Sequence, residues 1–441
     1  MGGGLAGIQA ALAAADQGAE VSLVERQRRL GGATWSFQRN GLWFDNGQHV
    51  FLGCCSAYIS FLDRLGVSDL VCRQRRLDVP IIGKRRARLW RAPLPPPLHL
   101  AGCLAAYRPL PLRKRLAAAR QVLAVGRLDP DEAWVDQLSF GEFLASLEAD
   151  QEVITGLWEP IIRPTCNLPV AEVSAAMAAK VVRTGLLESS SGADLGWAKV
   201  PLGQLHGEAA QSALERAGVE VLLGARVERL GAGDEGIGVH FEGGFREADA
   251  LIVAIPHHQL ADLGYDRSGI GGFEGLGSSP IVNVHLVLDR RVVDWPVWAS
   301  LEPPLEWVFD HTEAAGAKEG QVLVVSLSAA DRWIAMRPAE IISAIWEALR
   351  EVLPRAEKAS LRDAVVTKER WATFRAGPGS QKLRPPPEAG LGGVFLAGAW
   401  TRTGWPATME GAIRSGLAAA QAALSHLGAK QAKDLGKEAV A

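Results

Sequence analysis

The sequence predicts an α/β fold, and three observations carry that expectation. A G-x-G-x-x-G run opens a helix at the N-terminus, a strand after it ends in an acid 18 residues beyond the run, and β-rich segments return at 219–255 and 394–398 after a long helical stretch. Together they describe a Rossmann-like nucleotide domain that is discontinuous, with an inserted mixed-sheet domain and a helical cap. The nucleotide domain is expected from 1–75, 195–262 and 385–427, the inserted domain from 76–194 and 263–384, and a mobile tail from 428–441.

Taken in order, 4–17 places Leu5, Ile8 and Leu12 among alanines at helical spacing and stops near Gly18. Glu20 to Glu25 alternates as a strand and leads to the Gly-rich loop Leu30–Thr34. A second amphipathic helix spans 55–66. The Arg- and Pro-rich stretch 80–100 reads as a crossing linker, and 100–194 is mostly helical in pattern. Strands follow at 219–223, 250–255, 281–288, 321–328 and 394–398, and a helix of about 17 residues starts near Met409. The segment from Gly428 lacks apolar spacing and reads as mobile.

Composition excludes several classes. With 47 Lys+Arg against 49 Asp+Glu the formal charge is −2, which argues against general nucleic-acid binding. Five scattered cysteines without CxxC argue against a disulfide framework or a zinc site and favour a reducing, cytoplasmic compartment. No signal peptide and no run of about 18 apolar residues is visible, so a protein spanning a membrane is not expected, whereas one lying on a membrane is compatible.

The chemistry starts at Gly2, Gly4 and Gly7. They fit the tight turn, the close approach of a pyrophosphate to the backbone, and the helix–sheet contact of a dinucleotide site. The helix N-terminus then offers free N–H groups to phosphate, and Glu25 stands where an acid bonds ribose hydroxyls. Only Met1 precedes the motif, so the strand that should support it is expected upstream of the given start.

The Gly31-Gly32-Ala33-Thr34 loop and the segment Leu396-Ala397-Gly398-Ala399, continuing to Trp405-Pro406-Ala407-Thr408-Met409-Glu410-Gly411-Ala412, add a second signature. With it the whole chain resembles the flavin-dependent amine oxidase and phytoene desaturase superfamily. The resemblance implies FAD, an adenine contact through the backbone of Val227, and a helix starting at Met409 whose electropositive tip faces the flavin. The candidate cofactor contacts are Gly2, Gly4, Leu5, Ala6 and Gly7; Glu25 and Arg26; Gly32, Ala33 and Thr34; Val227 and Pro256; Gly398 and Ala399; and Pro406, Ala407, Thr408 and Met409. Ala399 stands where the family usually has an Asp.

Phe44-Asp45-Asn46-Gly47-Gln48-His49-Val50-Phe51, Leu157-Trp158-Glu159-Pro160, Asn167-Leu168-Pro169 and Ser174-Ala175 resemble the squalene-associated branch, the hydroxysqualene dehydroxylases. That branch replaces an allylic hydroxyl by hydride, giving squalene for hopanoid synthesis. Such chemistry needs an acid, an apolar tunnel and little water. Asp45 and His49 are the candidates for acid and orienting partner, against a turn cap and a core histidine. Glu159 is a weaker candidate, and Glu410 reads as a cap of its own helix. His257-His258 reads as a loop, not a metal pair, and Cys54-Cys55 as packing.

The partners that follow are a polyisoprenoid, other squalene-pathway enzymes and a membrane surface. For the last, Leu112, Leu116, Ala119 and Leu123 share one helical face beside basic residues, a pattern also compatible with a core helix carrying a solvated face. Rival readings are carotenoid-type desaturation, amine oxidation (which uses a lysine on a strand corresponding to 281–288, where none occurs) and a scaffold without chemistry.

Overall fold

The computed structural model describes residues 1–232, 236–263, 273–389 and 392–438. Its nucleotide domain rests on two parallel strand pairs. Ser22–Glu25 pairs with Glu220–Leu223, and Leu251–Val253 with Val394–Leu396. Met1 and Gly2 lie between them. The Met1 ammonium donates to Ile252 O at 2.7 Å, Ala254 N to Met1 O at 2.9 Å, and Gly2 N to Val24 O at 2.8 Å.

The helix Leu5–Ala15 packs against the C-terminal helix because both carry small residues at their contact. A Cβ at Gly416 would stand 2.2 Å from Ala6 O, so only glycine lets the two backbones come this close. The C-terminal helix runs Met409–Glu438, 30 residues rather than about 17. The helix thus runs on through 428–438, most of the segment expected as a mobile tail. Its Ala, Lys, Gln and Glu are good helix formers, a signal that apolar spacing does not register. Residues 439–441 of that tail lie outside the described residues.

The inserted domain is built on a seven-stranded mixed sheet. Its order is Leu361–Thr373, Ser279–Leu288, Gln321–Leu327, Trp307–Asp310, Val297–Ser300, Asp78–Ile82 and Ala87–Trp90. Neighbours are antiparallel except Val297–Ser300 with Asp78–Ile82. The stretch expected to be a linker at 80–100 thus supplies a hairpin to this sheet. Val79, Ile81 and Ile82 are buried there, and the proline cluster begins only after the second strand. One face of the sheet packs on the amphipathic helix Pro338–Val352 through Ile341, Ile345 and Leu349. Helices between 101 and 187 form the cap, in agreement with the helical pattern of that region.

Candidate functional site

A single cavity of about 1490 Å³ runs between the nucleotide domain, the sheet and the cap. Pockets for one small ligand usually measure about 300–1,000 Å³, so this volume accommodates a cofactor and a second molecule.

At one end the glycines fix the backbone. Gly2 has φ +98°, and a Cβ on it would stand 2.4 Å from Ala254 O. A Cβ on Gly7 would stand 1.9 Å from Gly2 O. Gly32, at φ +57°, passes so close to Gly4 that a Cβ would come within 2.7 Å of its Cα. Gly31 N also donates to Gly3 O at 2.9 Å, which locks the two glycine loops together. No side chain caps the helix that starts after Gly4, and its first turn holds no acid. Its N–H groups therefore remain available to an anion. The buried Glu25 accepts from Gly3 N and Gln27 N, both at 2.6 Å.

All the predicted cofactor contacts line this cavity except Gly7, which sits behind it and allows the helix to approach Gly2. Gly2, Gly4, Leu5, Ala6, Glu25, Arg26 and Val227 occupy the nucleotide end. Gly32, Ala33, Thr34, Pro256, Gly398, Ala399, Pro406, Ala407, Thr408 and Met409 surround the middle. These residues fit a flavin dinucleotide: a cradle with no room for side chains, a bare helix start, and a second helix tip at Met409.

The turn after Gly398 depends on a residue the sequence reading passed over. Arg384, fully buried, donates to Ala399 O at 3.1 Å, Thr401 O at 2.6 Å and Thr403 Oγ1 at 2.9 Å. Desolvation lowers its pKa to about 10, which still leaves it charged at neutral pH. It lies in a proline-rich run without periodicity, so no local pattern marked it. Glu410 does not cap its own helix. It accepts from Ala57 N at 3.2 Å and Tyr58 N at 2.7 Å and pairs with Arg414, thus capping the helix Ser56–Leu65.

The expected acid pair does not form. Asp45 is 2% exposed, and its Oδ1 accepts from Ser36 Oγ at 2.5 Å and Leu202 N at 3.0 Å. Its Oδ2 faces His311 Nε2 at 3.5 Å, and Asp45 is not among the described residues lining the cavity. The carboxylate is directed into the protein by the hairpin Ser36–Arg39/Leu42–Asp45. His49 does line the cavity, with Nδ1 2.9 Å from Gly47 O. Burial lowers its pKa, against the opposing fields of Asp45 and Glu369, so it is neutral at pH 7. Glu159 pairs with Arg163 and accepts from Val170 N, outside the cavity lining.

Three polar residues at the middle of the cavity were missed. Asn46 accepts from Trp35 N at 3.0 Å and donates to Ala33 O at 2.9 Å and Glu369 Oε1 at 3.0 Å. Asn283 accepts from Gln48 N at 3.3 Å, which fixes its amide orientation, and leaves its buried Nδ2 with no protein partner beside Gly47. An unpaired buried donor of this kind is costly unless a ligand meets it. Among the lining carboxylates, Glu25, Glu228, Glu369 and Glu410, only Glu369 belongs to the mixed sheet. The Asn46 loop belongs to a motif the sequence marks, but Glu369 and Asn283, which it meets, lie 323 and 235 positions away.

Beyond this polar middle the walls turn apolar, with Leu77, Val79, Tyr107, Val122, Leu157, Trp158, Trp307 and Phe309. Widened helical turns, including Val182–Leu187, place Thr184, Gly185 and Leu187 on the lining. His257 and His258 also line the cavity; His258 stacks on Trp371 at 4.5 Å, and no group of metal-binding side chains occurs among the described residues. Cys54 and the more deeply buried Cys55 both line the cavity, and all five thiols are free.

The chain matches the family of flavin containing amine oxidoreductases over residues 5–424. It is 26% identical to hydroxysqualene dehydroxylase of Zymomonas mobilis, covering 97% of this chain and 98% of that one. It is 24% identical to 15-cis-phytoene desaturase of Synechococcus elongatus over 99% of this chain and 97% of the relative. Putrescine oxidase bound to putrescine shares the fold, with a TM-score of 0.72 at 19% identity, covering 96% of this chain and 98% of that one.

Proposed function

Because the chain belongs to the flavin containing amine oxidoreductases, and is a flavin oxidoreductase, we propose that it binds FAD and acts on a polyisoprenoid, converting hydroxysqualene to squalene. The observation that carries this reading is the continuity of one cavity from a dinucleotide cradle into an apolar end. The residues of the cradle would hold FAD, whose reduced form would supply hydride chemistry for replacing the hydroxyl.

The protein's own groups do the rest. The apolar walls bind a hydrocarbon and exclude water, which strengthens every polar contact at the middle. Departure of the hydroxyl as water requires a proton at its oxygen. We assign delivery of that proton to Glu369, the lining carboxyl of the mixed sheet, which Asn46 orients. Neutral His49, with Nδ1–H directed to Gly47 O, presents Nε2 as an acceptor and does not supply a proton. Asn283 Nδ2 is a donor for the ring system or for the departing oxygen.

Amine oxidation is disfavoured because Ser279–Leu288 has no lysine. Of the cavity lysines, Lys180 lies over Trp405 and Lys368 donates to Ile334 O and Met336 O. Desaturation is the second reading, favoured by the near-full-length likeness to phytoene desaturase. A polyisoprenoid partitions into bilayers, so a membrane surface, met from the cytoplasm, and other squalene-pathway enzymes follow as partners. Anaerobic incubation of the chemically reduced holoprotein with hydroxysqualene tests the reading, with squalene as the expected product. Absence of squalene, together with desaturation of a polyene by the oxidised protein, would replace it by the second.

A further inference from the structure

We propose that the protein docks on an anionic bilayer through the helix Leu112–Gly126 and the turn at Leu98, and that the cavity opens into the lipid at that point. The proposal deepens the polyisoprenoid reading and rests on it only for what passes through the opening.

Five of the eleven exposed large hydrophobic side chains among the described residues gather in this region: Leu94, Leu98, Leu112, Leu116 and Leu123. The leucines of the helix are 66%, 60% and 50% exposed, far more than packing inside the protein would leave. Leu98 and Leu123 are both exposed and part of the cavity lining, so they stand at its rim.

The helix is ordered around its axis. Leu112, Leu116, Ala119 and Leu123 form one line, while Ala118, Gln121 and Val125 are buried on the opposite side. Arg113, Arg120 and Arg127, seven residues apart, form a second exposed line beside the leucines. An interfacial helix has this arrangement, with apolar side chains in the acyl boundary and cations at phosphate level.

Charge identifies the occupant. From residue 79 to residue 128 the chain has eleven Lys or Arg and not one Asp or Glu. Several are engaged: Arg88 with Asp78, Arg91 with Asp194, Lys114 with Asp150 and Glu152. Arg108, Arg113, Arg120 and Arg127 are exposed and make no salt bridge to a described residue. Unpaired cations around an apolar rim match an anionic lipid surface. No helix among the described residues is long and apolar enough to cross a membrane, so the contact is peripheral.

Flotation of the holoprotein with vesicles of phosphatidylglycerol and phosphatidylcholine in equal amounts tests this, with pure phosphatidylcholine as control. The protein is expected to float with the anionic vesicles, and less so at high salt. L112E/L116E should remain in the dense fraction, and R113Q/R120Q should bind about thirtyfold more weakly. Both variants should retain the circular dichroism and flavin absorption of the parent. Flotation needs no turnover, so it can fail while squalene is still formed, and the reverse. No flotation, or equal flotation of parent and variants, would overturn the proposal. So would loss in L112E/L116E of a dimer seen by sedimentation velocity, since a second copy would then cover the leucines.

Discussion

Asn46 Nδ2 donates to Glu369 Oε1 at 3.0 Å, joining the loop behind the second glycine pair to the long strand Leu361–Thr373. The same nitrogen holds Ala33 O at 2.9 Å, so one amide sets the distance between cofactor loop and carboxyl.

Glu369→Gln keeps the shape and replaces the carboxyl proposed as the acid by an amide. Its kcat should fall about 100-fold, with flavin absorption unchanged, as expected for loss of a general acid. Asp45→Ala should behave differently. It leaves Ser36 Oγ and Leu202 N without their acceptor and should lower stability to urea by about 1–3 kcal/mol. Steady-state kinetics and equilibrium unfolding of the two variants separate the roles.

Asn283→Leu removes the unpaired donor while filling the space. If Nδ2 meets a developing charge, kcat should drop about 100-fold. The absorption bands of the bound flavin should shift if it meets the ring. An unchanged spectrum and an unchanged kcat would assign Asn283 to packing alone.

Gly32→Ala places a Cβ 2.7 Å from Gly4 Cα, at a backbone φ of +57° that alanine adopts poorly. The strain of about 1–3 kcal/mol falls on the two loops that form the dinucleotide cradle. The purified variant should contain little flavin, measured as the ratio of visible to ultraviolet absorbance.

Glu306 gives a pH dependence of stability. Desolvation pushes its pKa up from 4.5 to about 7, although Ser328 N donates to it. A carboxyl whose pKa is higher in the folded state binds its proton more tightly there. Its contribution is full below pH 4.5 and is lost as pH rises through 7. Stability should therefore fall by about 3 kcal/mol across that window from this group. Glu306→Gln should flatten that part of the profile in urea titrations at several pH values.

The glycine cradle and Glu25 were legible because their geometry is local: a fixed spacing sets the turn, the helix start and the acid. The leucine face of Leu112–Gly126 was legible for the same reason. Asp45 and His49 were four residues apart in sequence, but spacing alone does not say which side of a strand faces a cavity. The hairpin turns Asp45 toward Leu202, whereas His49 lines the cavity. Glu369, Asn283 and Arg384 carry no local signal. Each acquires its place by pairing with a distant segment, as when Ile281 stands opposite Glu369 in the sheet. The hairpin Asp78–Trp90 was hidden by arginines and prolines, although its strands are completed by Val297–Ser300.

Glu410 is the second residue of the C-terminal helix, where a carboxylate normally cancels the positive potential of the first turn. Its oxygens are instead occupied by two amides of a neighbouring helix and by Arg414. A ring bound beside Met409 would meet a first turn whose Gly411 N is capped by Thr408 Oγ1 and whose Glu410 charge is offset by Arg414. The affinity of such a ring for electrons would then depend on where one glutamate turns its head.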